Sequence, residues 1–274
     1  MLLELERQRA GDWAIVAAVS TPTLLVQLSD LHIGGNENGM DPIPRLEAVI
    51  EAVRALPNRP DAILVSGDLT DDGAAEGYRV AREMLARLEA PLHVIPGNHD
   101  DRARLRQAFD LPGVGDEPVN YSTQVGGLRL VALDSIVPGQ DPGDFPPERL
   151  RWLDAELAAE PEAPTLLALH HTPLTTGIPE WDAINLLAPQ REALAEVVAR
   201  HSQLRAIVGG HLHRVAVSAL AGCPVLAAPS TYWQVRPNFE GDEVHPVDTP
   251  GFAVHALRDG ELSSQVESVP LVGL

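Results

Sequence analysis

Short apolar runs that break off into polar residues recur along the N-terminal part of this chain. Leu24-Leu25-Val26-Gln27-Leu28-Ser29, Asp61-Ala62-Ile63-Leu64-Val65 and Leu92-His93-Val94-Ile95 each read as a short buried strand. Between them the period changes. Leu46, Val49, Ile50 and Val53 share one face of a helix from about Pro44 to Leu56, and Val80, Met84, Leu85 and Leu88 recur at helical spacing between Gly73 and Glu89. A Pro-Gly turn at 96–97 ends the third strand, and Asp101 to Phe109 reads as a helix. Strands alternating with helices predict a parallel sheet with crossover connections.

Beyond Phe109 the pattern shifts. Val119 to Val125 and Leu128 to Leu133 flank Gly126-Gly127, a hairpin signal. A helix from about Pro147 to Ala159 leads to the strand Thr165–Leu169, and a loop with Pro173, Gly177 and Pro179 leads to a helix over Pro189–Arg200. Arg205–Val208 reads as a strand, with further β-like segments through Phe252–Leu257 and Glu261–Val269. No repeat, low-complexity tract or long linker interrupts the pattern, so one α/β domain with two sheets over residues 1–274 is expected.

Composition narrows the class of protein. With 274 residues, 45% apolar and 22% charged, the chain reads as an ordinary globular protein. No apolar run approaches the roughly 20 residues of a transmembrane helix. Glu4 and Glu6 beside Arg7 and Arg9, followed by a short interrupted apolar run, argue against an export signal. The single Cys223 cannot form an internal disulfide, which fits a cytoplasmic location. A net charge of −19 argues against a partner of long nucleic acid. Small anions stay open, because a bound metal pair reverses the local sign. A homo-oligomer is neither indicated nor excluded.

Five strand ends carry metal-ligand types: Asp30/His32, Asp68, Asn98/His99/Asp100, His170/His171 and His211/His213. In parallel α/β sheets the carboxyl ends of strands converge on one edge, where ligands bind. In an extended backbone, the two-residue spacing of Asp30 with His32 and of His211 with His213 puts both side chains on one face. Separate turn residues and helix caps are the bland alternative for each motif. All of them in this order, each at a strand end, make that alternative remote.

The ordered set Asp30-x-His32, Gly67-Asp68, Gly97-Asn98-His99-Asp100, His170 and Gly210-His211-x-His213 resembles the calcineurin-like metallophosphoesterase superfamily. The motif-bearing core covers about residues 24–214. Gly67-Asp68-Leu69-Thr70-Asp71 and His170-His171 look most like class III cyclic-nucleotide phosphodiesterases and their glycerophosphodiesterase relatives. Where the cyclic-nucleotide members often carry His-His-Pro-Pro, this chain reads His170-His171-Thr172-Pro173. The resemblance implies a four-layer α/β/β/α sandwich of two mixed sheets with a dinuclear site at the strand ends. It assigns Asp30, His32, Asp68 and His213 to one metal and Asp68, Asn98, His170 and His211 to the other, with Asp68 bridging. Imidazoles and oxygens without thiolate suit Fe, Mn, Zn or Co.

His99 has no ligand role in that pattern and is available to protonate the leaving oxygen or to stabilise charge on the phosphoryl group. Asp100 orients that imidazole or, alternatively, caps the next helix; the orienting role is preferred. His171, beside a ligand in an extended segment, is expected to pack rather than ligate. His93, His201, His245 and His255 read as structural or surface residues. Tyr232 and Trp233 read as core, with a pocket wall, and Arg236 near phosphate, as the alternative. Glu240–Asp248 reads as a solvated acidic loop. The function expected is metal-dependent hydrolysis of small phosphodiesters, cyclic nucleotides or glycerophosphodiesters, by a metal-bridging hydroxide. A phosphomonoesterase or nucleotide pyrophosphatase is the enzymatic alternative; a non-catalytic interaction protein would require lost ligands, and none is lost.

Overall fold

A computed structural model describes residues 20–240 and 245–271. The expected alternation appears as β1 (Thr23–Leu28), α1 (Pro42–Arg54), β2 (Ala62–Ser66), α2 (Ala75–Leu85), β3 (Leu92–Ile95) and α3 (Arg102–Phe109). Helix starts follow local chemistry. Asp41 caps α1 by accepting from the Ile43 amide, with Pro42 at the first helical position, and Asp101 caps α3 by accepting from Arg104. Helix α2 stops earlier than its periodicity suggests, passing into a 3₁₀ turn that Glu89 ends in a left-handed conformation.

The second half contains β4 (Tyr121–Val125), β5 (Leu128–Ala132), α4 (Pro147–Ala159), β6 (Thr165–His171), α5 (Pro179–Ile184), α6 (Ala188–Val198) and β7 (Leu204–Gly210). It continues with β8 (Ala216–Leu220), β9 (Cys223–Ala227), β10 (Gln234–Arg236), β11 (His245–Val247), β12 (Gly251–Arg258) and β13 (Glu261–Ser268). Helix α5 lies where the sequence predicted only loop. Its six residues are too few to show a period, and Pro179 starts it.

The strands form two large mixed sheets and one small ribbon. The first sheet has the order β13-β12-β1-β2-β3, the second β4-β5-β6-β7-β9-β8. Strands β1, β2 and β3 are parallel, as are β5, β6, β7 and β9, while β12 pairs antiparallel with β1 and β13, β4 with β5, and β8 with β9. Period-two alternation makes three apolar layers from these two sheets. Val26, Ile63, Val65 and Val94 meet α1–α3 on the outer face of the first sheet. Leu167, Leu169, Ile207 and Val225 meet α4–α6 on the outer face of the second. Leu25, Leu64, Ala168 and Val208 fill the space between the sheets. The result is the α/β/β/α sandwich. Arg102 of α3 also ties the two halves through a buried pair with Asp134, 2.7 Å away just beyond β5.

The acidic tract is only partly a solvated loop. Residues 241–244 lie outside the described residues, but His245–Val247 pairs with β10, and Asp248 forms a two-pronged ion pair with Arg45 of α1 at 2.6 and 2.8 Å. The N-terminal segment read against an export signal also lies outside the described residues. No helix among the described residues is long and apolar enough to cross a membrane.

Candidate metal centre

The carboxyl ends of β1, β2 and β3 meet those of β6 and β7 across the gap between the sheets, and all seven expected ligands gather there. Asp30, His32, Asp68, His170, His211 and His213 are buried, and Asn98 is half-buried. His32 and His213 face each other, Nε2 to Nε2, at 3.0 Å. Asp68 Oδ2 lies 3.6 Å from His32 Nε2 and 3.2 Å from His170 Nε2. Asp30 Oδ1 is 3.8 Å from His213 Nε2. Asn98 Oδ1 stands 3.1 Å from His170 Nε2 and 3.0 Å from His211 Nδ1. Asp68 therefore sits between two groups of donors.

The backbone that achieves this is not extended. Asp30, His32, Asp68, His211 and His213 all have φ between 46° and 68°, the left-handed region. The expectation that two-residue spacing works through strand alternation is thus corrected. The chain has already left the strand, and a left-handed residue on either side of Leu31 and of Leu212 turns both flanking side chains inward. Leu31 anchors the first turn in the outer core of the first sheet, and Leu212 does the same in the second. Asp and His tolerate this region better than most residues, at a cost of order 1–3 kcal/mol each. Lacing between loops holds them there: the Asp30 amide donates to the Gly67 carbonyl, His32 to Asp68, and the His211 amide to the Asp30 carboxylate at 2.9 Å.

Two glycines of the motifs are demanded by proximity. A Cβ on Gly97 would lie 2.1 Å from Asp68 Oδ1, and one on Gly210 would lie 1.8 Å from Ser29 Oγ. Neither clash can be relieved without moving a strand end.

The hydrogen bonds on the outer side of the rings test whether cations fit. His32 Nδ1 donates to Asp71 Oδ1 at 2.9 Å, His170 Nδ1 to the Ser66 carbonyl at 2.8 Å, and His211 Nε2 to the Ile184 carbonyl at 3.0 Å. Each bond turns one ring nitrogen outward and aims the other inward. At Asn98 two of these inward nitrogens, His170 Nε2 and His211 Nδ1, converge on one carbonyl oxygen. The donor set fits metal ions.

Electrostatics agree. Burial pushes His211 and His213 well below the usual imidazole range, so both are neutral, the form that ligates. Burial alone would lower His170 too, but the Asp68 carboxylate wins and lifts it to about 9. To ligate a cation, His170 would have to give up that proton.

Asp100 does neither thing expected of it. Its carboxylate accepts from the amides of Gly97, Leu69 and Thr70 and from the Tyr78 hydroxyl, at 2.9 to 3.3 Å, and Asp101 is the helix cap. It makes no bond to His99. It clamps the loop after β2 to the loop after β3, and burial, with Asp68 nearby, raises it to about 6. The residue that orients His99 is Asp71, whose carbonyl accepts from His99 Nδ1 at 2.7 Å while its carboxylate holds His32. Asp71 was visible only as the last letter of Gly-Asp-Leu-Thr-Asp. The His99 amide donates to Asp68 at 3.0 Å, which keeps its exposed ring beside the cluster, 4.8 Å from His32.

His171 packs rather than ligates. Its Nδ1 accepts from Ser135 and its Nε2 donates to the Asp141 carbonyl, both at 2.8 Å, and burial pushes it down to about 3. Tyr232 and Trp233 are more than core. Both line a cavity of about 360 Å³ beside the cluster, together with Trp181, Glu37, Asp71, His99 and Asp141. The Tyr232 hydroxyl straps the loop after β1 by accepting from Glu37 and donating to Met40 at 2.7 Å. Arg236 is exposed on β10 and does not line this cavity.

Residues 23–215 match the calcineurin-like phosphoesterase family. The chain is 33% identical over 225 residues to a probable glycerophosphodiester phosphodiesterase of Arcobacter nitrofigilis, covering 80% of this chain and 82% of that protein. It is 34% identical over 259 residues to a 3′,5′-cyclic adenosine monophosphate phosphodiesterase of Pseudomonas aeruginosa, covering 92% of both. A dimetal phosphatase from Danio rerio shares the fold, with a TM-score of 0.63 at 16% identity over 91% of this chain and all of that one. The ordered motifs, the sandwich that gathers them and these likenesses make the chain a member of the calcineurin-like phosphoesterase family, a hydrolase of phosphoric esters.

Proposed function

We propose that the chain hydrolyses small phosphodiesters, 3′,5′-cyclic nucleotides or glycerophosphodiesters, at a dinuclear centre. Asp30, His32, Asp68 and His213 hold one ion, and Asp68, Asn98, His170 and His211 hold the other. The facing Nε2 atoms of His32 and His213, and the pair of imidazoles on Asn98, support that grouping. Bound there, first-row ions such as Fe, Mn, Zn or Co supply Lewis acidity and acidify water at neutral pH.

The chain's own groups do the rest. Asp71 holds the Nδ1–H of His99 on its carbonyl, which leaves Nε2 free. The imidazolium, with a second proton on Nε2, gives that proton to the departing oxygen and returns to the Nδ1–H tautomer. Asp68 holds the His99 backbone, so the proton donor and the shared ligand move as one unit. Trp181, Tyr232 and Trp233 give the cavity apolar faces for the organic part of a substrate.

The observation that carries the diester reading is charge. Glu37, Asp71 and Asp141 line the cavity in addition to the ligands, and no Lys or Arg is among the described residues that line it. Two divalent ions, two aspartates and a hydroxide sum to about +1. A diester monoanion neutralises that sum, whereas a monoester dianion overshoots it against an acidic wall. The two named relatives, both phosphodiesterases, support the same class. After reconstitution with Mn²⁺, kcat/KM should favour bis-p-nitrophenyl phosphate over p-nitrophenyl phosphate by about tenfold or more, with cyclic AMP and a glycerophosphodiester assayed alongside. Preference for the monoester overturns the proposal.

A further inference from the structure

Gln27 is polar at a position where strand alternation calls for an apolar residue. Along β1, Val26 and Leu28 face the helices and Leu25 faces the core between the sheets. Gln27 shares the inter-sheet face with Leu25, and it is fully buried. Its carboxamide is nonetheless saturated. Nε2 donates to Ser66 Oγ at 2.8 Å and to the Gly209 carbonyl at 2.9 Å, while Oε1 accepts from His255 Nε2 at 2.9 Å. His255, also fully buried, accepts at Nδ1 from the Ser264 hydroxyl at 2.8 Å, which fixes the donor on Nε2.

The two acceptors of Nε2 lie in different sheets at matching places. Ser66 ends β2 and precedes Asp68 by two residues; Gly209, in β7, precedes His211 by two. Ser66 Oγ also donates to Ser29 Oγ at 2.8 Å, next to Asp30, and the Ser66 carbonyl holds His170 at 2.8 Å. One buried amide thus joins the strand ends that deliver ligands from both sheets. Such a group is costly in an apolar core unless fully bonded, and apolar replacements of similar volume are often neutral for stability.

We infer that Gln27, backed by His255, is a positioning residue that sets the spacing of the two sheets beneath the metal centre. It holds His170 and His211 in register with Asp68 and Asn98. The inference rests on the dinuclear reading. The test uses the full chain, wild type against Gln27→Met, the double variant Gln27→Met/His255→Leu, and Leu25→Met as a control on the same face. Mn²⁺ titration calorimetry and the spin-coupled Mn²⁺ resonance signal are read beside thermal unfolding of the metal-free protein.

The double variant, which removes both polar ends, should fold with a metal-free Tm near wild type. Its weaker Mn²⁺ site should lose about tenfold or more in affinity, the coupled signal should fade, and kcat should fall more than KM rises. Leu25→Met should keep all of these. A folded double variant with wild-type Mn²⁺ affinity overturns the role. So does failure of both variants to fold without metal, which would make the network a general packing element. Wild type binding fewer than two Mn²⁺ overturns the dinuclear reading and the inference with it.

Discussion

The two sheets bring different chemistry to the same gap. Loops of the first sheet supply both carboxylates, an amide and His32; the second supplies only imidazoles, His170 from the end of β6 and His211 and His213 from the loop after β7. The first sheet therefore carries the negative charge, and the second adds imidazoles, of which His211 and His213 are held neutral by burial. Neither sheet holds a full set. The supports differ in the same way. The first sheet's loops are laced to one another by backbone bonds and clamped by Asp100. The imidazoles of the second are steered by carbonyls from elsewhere, Ser66 for His170 and Ile184 for His211. The site lies where the two sheets meet, and its geometry depends on how they pack.

The largest test of that contrast removes Asp68, the carboxylate proposed to be shared. Asp68→Ala should lose both ions by elemental analysis, with activity falling about a thousandfold or more, since ions contribute several kcal/mol to such reactions. His211→Ala should keep the ion held mainly by the first sheet. One ion retained in Asp68→Ala would show that the carboxylate is not shared.

A smaller effect isolates proton delivery from the first sheet. With cyclic AMP, whose leaving group is an alkoxide, His99→Ala should cost about 10²–10⁴ in kcat. With bis-p-nitrophenyl phosphate, whose nitrophenolate departs unprotonated, the loss should stay within about tenfold. Equal losses on both would assign His99 to binding instead.

The smallest concerns the buried imidazole behind the site. Burial holds His255 at about 4 in the folded protein, against an ordinary value of 6.5. The unfolded chain takes up that proton first, so the stability from neutral His255 is complete above about pH 6.5. It is lost as the pH falls towards 4, to the extent of about 3 kcal/mol. Denaturant unfolding of metal-free His255→Leu should show a correspondingly flatter fall between pH 7 and 4 than wild type. Parallel curves would mean that His255 is not held neutral.

Much of the site was legible because its signals are local. Gly97-Asn98 and Gly210-His211 announce themselves as glycine beside a ligand, and the reason is the close approach that leaves no room for a Cβ. Short apolar runs marked the strands, and helical spacing marked α1 and α2. Asp100 was misread because it stands next to His99 in sequence, while its four partners come from residues 69, 70, 78 and 97. Asp71 escaped notice for the converse reason: its bonds to His32 and His99 each span about thirty residues or more. Gln27 was legible only as an odd letter in an apolar run.

By itself the sequence determined which side chains could serve as ligands, the strand ends that carry them and the layering of helices on sheets. Those follow from period, turn chemistry and donor type, properties of neighbours along the chain. The left-handed turns at Asp30, His32, Asp68, His211 and His213, the tautomer of each imidazole, the clamp at Asp100 and the tie at Gln27 were decided by tertiary structure alone. Each depends on a hydrogen bond or a steric limit between separate segments of the chain, within the first sheet's loops for Asp100 and His32 and across the two sheets for His170 and Gln27.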